Sequence, residues 1–254
     1  MSASTQDTFI SHLVELRDRL LRAIGAVLVF FVILFLYPGA GPIYDFLAHP
    51  LMAALPEGSK MIATGVITPF MVPMKVTALA AFVVALPFVL YQAWAFVAPG
   101  LYMHEKKLVL PLVISSTILF FLGVAFCYFF VFGKVFTFIQ SFAPKSVSAM
   151  PDIQAYLSFV MTMFIAFGAA FEVPIAVVVL ARLNIVSIEK LKAFRAYFIV
   201  LAFIIAAVLT PPDVVSQLAL AIPMCILYEV GIWAAQIFIR HTQAPESVAG
   251  GAGD

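Results

Sequence analysis

The sequence predicts an all-α membrane protein of six transmembrane helices with both termini in the cytoplasm, and three observations carry that reading. The first is composition: of 254 residues, 64% are hydrophobic and 11% charged, with a mean hydropathy of +1.12. Soluble domains hold roughly 45–50% apolar and about 25% charged residues, so a water-soluble fold of this size could not cover its apolar surface, and lipid must serve as part of the solvent. The second is the presence of apolar runs long enough to span. The third is the uneven placement of Lys and Arg. The net charge is only +1, so no general attraction to nucleic acid is implied.

A crossing needs about 20 apolar residues at a rise of about 1.5 Å each. The spans fall at about 21–37, 71–97, 108–133, 154–181, 195–210 and 214–236, within one membrane domain of residues 1–240. The fifth is too short to cross about 30 Å of hydrocarbon unaided, so bilayer thinning or burial against neighbours is expected. It stops at Thr210-Pro211-Pro212-Asp213, where two prolines force a tight hairpin. Pro87, Pro111, Pro174 and Pro223 lie inside spans, remove backbone donors and predict kinked helices in a curved, concave body. The N-terminal segment is polar and lacks a signal-peptide pattern, so the first span reads as a retained anchor.

With six spans both ends share one side. That side collects Arg17, Arg19, Arg22, Lys106, Lys107, Arg182, Lys190, Lys192, Arg195 and Arg240, against Lys60, Lys75, Lys134 and Lys145 opposite. The excess marks the cytoplasmic face. The two long outer loops, about 38–70 and 133–154, contain prolines and are expected to be folded caps. Residues 241–254 end in Gly-Gly-Ala-Gly-Asp and have the composition of a disordered cytoplasmic tail. Cys127 and Cys225 sit inside apolar runs and read as packing residues.

Phe9, Leu13, Leu16 and Leu20 recur at helical spacing, opposite His12, Glu15, Asp18, Arg19 and Arg22, which predicts an amphipathic helix in the membrane interface before the first span. On pattern alone Glu15 has a simple role, an i,i+4 pair with Arg19. Trp94 and Tyr102 flank a Pro99-Gly100 break and suit interfacial anchoring. Glu105 follows, where it either complements the dipole of the next helix or joins Glu15, beside Phe96 and Leu101, in gripping a cation or guanidinium. Glu172 lies inside a span, where an ionisable side chain costs about 2.5–3.5 kcal/mol on insertion scales. It must face a cavity or partner, in a functional role or a structural hydrogen bond. Glu229 is nearer the cytoplasmic end and can snorkel. No nucleophile motif or metal-ligand spacing occurs, and no cofactor is implied. On residues alone, a proton-coupled small-solute transporter using Glu172 is an alternative, although the chain has no internal repeat and the spans do not read as broken helices.

Four stretches resemble the TatC family, the multispanning receptor of the twin-arginine protein translocase. They are Ser11-His12-Leu13-Val14-Glu15-Leu16-Arg17-Asp18-Arg19-Leu20; Tyr91 through Leu101 with His104-Glu105; Phe167-Gly168 with Phe171-Glu172-Val173-Pro174; and Leu209-Thr210-Pro211-Pro212-Asp213 with Ser216-Gln217. Met61-Ile62-Ala63-Thr64 and Pro50 also look like this family, and Ala207 stands where some members carry methionine. The resemblance implies a non-enzymatic receptor in the bacterial inner membrane that binds twin-arginine signal peptides. Folded precursors then cross using the proton-motive force. It implies that Glu15 and Glu105 contact the arginines, supported by Leu16, Arg17, Phe96 and Leu101. It further implies that Glu172, Thr210, Gln217, Asp213 and Pro50 serve transport or contacts with single-span TatA and TatB proteins, in a self-associating complex.

Overall fold

The computed structural model describes residues 3–56, 58, 60–97, 109–142, 144, 150–210 and 212–242. Helices dominate these residues, and the sole β contact among them is an isolated bridge between Ile62 and Asp152. The helices are α1 (Ala3–Leu36), α2 (Ala40–Met52), α3 (Thr68–Val97), α4 (Val109–Phe126), α5 (Phe132–Ser141), α6 (Ile153–Phe171), α7 (Val173–Arg182), α8 (Ile188–Ala193), α9 (Arg195–Leu209) and α10 (Val214–Thr242). A π-helical turn, Cys127–Val131, fuses α4 to α5. Five stretches are long and apolar enough to cross a membrane: Ile10–Leu36, Thr68–Val97, Leu110–Ser141, Ile153–Arg182 and Val214–Ile237. The fifth apolar run in chain order forms α9, only 15 residues and so about 22 Å long.

Two differences from expectation follow from backbone chemistry. The amphipathic N-terminal segment and the first apolar run are one uninterrupted helix, α1, because no proline or glycine pair interrupts 10–36. The fourth apolar run, expected as a single bent helix, is broken at Glu172 into α6 and α7. Pro174 has no N–H for the carbonyl of Ala170 and sits in the first turn of α7, just after Val173, instead. Glu172 remains in a right-handed conformation (φ −77°, ψ −13°), so the chain turns without reversing. Pro73 and Pro87 are accommodated inside α3 and Pro223 inside α10. The tail beyond 242 lies outside the described residues.

The core runs through α5, α6 and the facing sides of α9 and α10. Cys127, Phe132, Val135, Val160, Met163, Phe167, Ala202, Ala206, Leu220 and Ala235 are fully buried. Aromatic rings bind the layers: Phe132 stacks on Phe164 at 5.5 Å and Phe198 on Tyr228 at 4.0 Å between centroids. Both cysteines are free thiols, with Cys127 at full burial. By contrast α1 packs chiefly along α3 and turns Leu20, Leu21, Leu28, Val32 and Leu36 outward, as a helix bathed in lipid does.

The described parts of the segments joining the spans opposite the Glu15 end are folded. Pro50 sits inside α2 and cannot donate to the carbonyl of Phe46, four residues back. The hydroxyl of Tyr128 donates to that carbonyl instead at 2.7 Å, and Tyr156 donates to the next one, Leu47, at 2.6 Å. Ile62 and Ile153 knit the two loops together through Ile62 N–H to Pro151 (3.0 Å) and Ile153 N–H to Ile62 (2.9 Å). Asp152 caps α6 through the N–H groups of Gln154 and Ala155 and accepts from Thr64 Oγ1 at 2.8 Å.

Candidate functional site

The last two turns of α3 carry the polar groups around which the candidate site is built. Gln92 is buried in a predominantly apolar helix, so its amide must find a partner. The partner comes from α1, which runs antiparallel to α3: Arg19 Nη1 donates to Gln92 Oε1 at 3.5 Å. The same guanidinium donates through Nε and Nη2 to Glu15 Oε1, at 2.9 and 2.6 Å, one helical turn away. Among the described residues both contacts fall on one carboxylate oxygen, which leaves Oε2 the capacity for a further donor. Beside this pair, His12 stacks on Phe96 with centroids 4.3 Å apart and planes 18° from parallel. Leu16 is exposed, and Arg17 is held by Asp18 at 2.8 Å in open solvent. Of the residues predicted to grip a guanidinium, Glu15 and Phe96 thus meet at the α1–α3 contact. Leu101 and Glu105, with the Pro99-Gly100 break, lie outside the described residues.

Trp94, on the same two turns, faces the other way. It was expected as an interfacial anchor, but its indole Nε1 donates to Ser116 Oγ on α4 at 2.9 Å. Ser116 donates to Glu172 Oε2 at 2.5 Å. Glu172 Oε1 is buried with no hydrogen-bond partner among the described residues. The α4–α6 packing that allows this contact depends on small residues: a Cβ on Gly168 would strike the ring of Phe120, and one on Gly123 would meet the carbonyl of Phe167. Glu172 therefore makes the structural hydrogen bond through Oε2, while its other oxygen is buried without a partner among the described residues.

A third group lies where α9 turns into α10. Thr210 is buried, and its hydroxyl and N–H both donate to the Ala206 carbonyl at 2.8 Å. Asp213 Oδ1 accepts from Ser216 N–H at 2.7 Å and so caps α10, while Gln217 Nε2 reaches the Phe203 carbonyl at 3.4 Å. Asp213 Oδ2 and Ser216 Oγ are buried without partners among the described residues. Pro50 belongs to none of these groups; its place is in α2. At the other end of the α9–α10 pair, Glu229 does not stand alone in lipid but is bound by Arg195 at 2.7 Å. Sequence reading passed over Gln92 and Ser116. The available signals were a single amide near the end of an apolar helix and the polar run Ser115-Ser116-Thr117 inside a span.

The fold and these groups define a polytopic helical membrane protein with a carboxylate–guanidinium pair at one end of its bundle and an ionisable carboxyl inside it. The chain belongs to the TatC family: residues 11–223 match the family described as Sec-independent protein translocase protein (TatC). It is 54% identical over 232 residues to the Sec-independent protein translocase protein TatC of Halothiobacillus neapolitanus, covering 91% of this chain and 63% of that longer relative. It is 47% identical over 239 residues to the Escherichia coli protein of the same name, covering 94% and 92%. A crystal structure of the twin-arginine translocase receptor TatC superposes with a TM-score of 0.77 at 38% identity, covering 90% of this chain and all of that one.

Proposed function

We propose that this chain is the receptor subunit of a twin-arginine translocase, binding twin-arginine signal peptides and, with TatA- and TatB-type partners, moving folded proteins across the bacterial inner membrane on the proton-motive force. The observation that carries this reading is the Glu15–Arg19 pair: a carboxylate at one end of the bundle already holds a guanidinium, with one oxygen spare. An arriving arginine finds the same charge-assisted, planar partner that Arg19 uses. Glu105 supplies the second carboxylate for the second arginine, and Leu16, Arg17, Phe96 and Leu101 line the peptide's path.

In this reading the chain crosses six times, α9 being the short crossing. Both termini and the N-terminal amphipathic turns of α1 lie at the cytoplasmic face, and the body is concave. Glu172 offers its buried, uncommitted oxygen to a polar group on a partner helix. Thr210, Asp213 and Gln217 form a second polar patch for single-span partners at the thinned bilayer beside α9, and Pro50 acts from the outer cap. Copies of the chain self-associate in the assembled complex. A proton-coupled small-solute transporter is not favoured, since family membership and the full-length structural likeness both point to protein translocation.

The test is a photo-crosslinker at Leu16 in membranes carrying a twin-arginine precursor. Glu15→Ala and Glu105→Ala leave the chain inserted but cut the crosslink about tenfold each. Undiminished crosslinking in the double variant overturns the assignment.

A further inference from the structure

Three side chains from three helices make a hydrogen-bond chain whose direction is set by chemistry. The Trp94 indole nitrogen can only donate. It therefore takes a lone pair of Ser116 Oγ, at 2.9 Å. Ser116 has one proton, and with Oγ already accepting, that proton goes to Glu172 Oε2, at 2.5 Å. One oxygen of Glu172 is thereby committed and turned toward α4, while Oε1, buried and unpartnered among the described residues, is the oxygen left to face anything else. Trp94 is two residues from Gln92, which Arg19 holds, and two from Phe96, which lies on His12. A helix turns about 100° per residue, so each of these neighbours lies about 160° around from Trp94, and α3 carries the α1 contacts on one side and the α4 contact on the opposite one.

From this we infer that Ser116, aligned by Trp94, is the positioning residue that aims Glu172, and that the end of α3 links that aim to the arginine-binding face on α1. The inference rests on the reading that Glu172 serves a partner contact during translocation. Displacing Arg19 from Glu15 or from Gln92 moves a helix end that also holds the Ser116 hydroxyl, so occupancy at the peptide site alters the orientation of the intramembrane carboxyl. Neither Ser116 nor Trp94 touches the peptide in this scheme; both act through Glu172.

The experiment is infrared difference spectroscopy on the purified full chain in lipid nanodiscs, with the Glu172 band assigned as the one lost in Glu172→Gln. Ser116→Ala and Trp94→Phe both shift that band, Ser116→Thr restores its position, and Val160→Ala, a remote core change, leaves it in place. Adding a synthetic peptide with an Arg-Arg leader shifts the band in the native chain and leaves it unmoved in Trp94→Phe. Folding of each variant is followed by its melting transition; if Ser116→Ala does not fold, Trp94→Phe and Ser116→Thr carry the comparison. A band unmoved by Trp94→Phe, or a peptide-induced shift that persists in that variant, overturns the inference. Full precursor transport by Glu172→Gln would instead remove the reading on which the inference rests, whatever the band does. In membranes, Ser116→Ala lowers transport severalfold while the crosslink at Leu16 is kept; loss of both together also counts against it.

Discussion

Arg19 is shared between Glu15 on its own helix and Gln92 on α3, at 2.6 and 3.5 Å, and in the proposed function the shorter contact is the one an incoming arginine competes with. An i,i+4 pair on a helix is worth roughly 0.2–0.5 kcal/mol, about a twofold change in a binding constant. Arg19→Ala is therefore expected to raise the affinity of an arginine-pair peptide about twofold, measurable by fluorescence titration in nanodiscs; a tenfold loss would show that Arg19 supports the peptide and does not compete with it. Asp152 offers a test on the opposite side. The Ala155 N–H, and after it the Thr64 hydroxyl, hold its carboxyl below the usual carboxylate range. A depressed folded-state value means that the stabilisation is present at neutral pH and is lost as pH falls through that value. Asp152→Ala should melt below the native chain at pH 7, with the gap closing in acid below the ordinary aspartate range. A gap that is constant with pH would show that the carboxylate's charge is not what fixes the α6 cap.

At the scale of elements, the apolar runs were legible because length and hydropathy are summed over many residues and survive local error. The breaks were not, because they depend on single groups. Pro174 reads as a kink in sequence, and only the backbone shows that the helix restarts there and leaves Glu172 at the joint. Pro50 reads as an oddity of the outer loop until Tyr128 is seen satisfying the carbonyl it frees. The guanidinium-binding carboxylate was legible as an i,i+4 pair, whereas Ser116 was not, since its partners lie 22 and 56 residues away in sequence. The α4–α6 joint is also sensitive to volume. Gly123→Ala places a methyl against the Phe167 carbonyl, and an overpacked contact costs about 1–3 kcal/mol. The melting temperature in detergent should fall by several degrees, whereas Gly133→Ala, with open space around its Cβ, should leave it nearly unchanged.

Among the described residues, Glu15 and Arg19 lie at the α1–α3 contact, whereas Glu172 lies at the α6–α7 joint within an apolar stretch. In the proposed function this division separates capture from transport: Glu15 serves the peptide at the α1–α3 contact, and Glu172 serves a partner from inside, at the α6–α7 joint, through the oxygen that Ser116 leaves uncommitted. Glu172→Ala is accordingly expected to keep signal-peptide crosslinking within about twofold while precursor transport drops at least tenfold; lost binding with intact transport would reverse the roles. The most direct test of the account is the affinity of the purified chain for two synthetic leaders that differ only in Arg-Arg against Gln-Gln, measured for the native chain and for Glu15→Ala. The account predicts that the native chain prefers the arginine leader by about tenfold or more and that Glu15→Ala erases most of that preference. Equal affinity for both leaders in the native chain, or a preference untouched by Glu15→Ala, would contradict it.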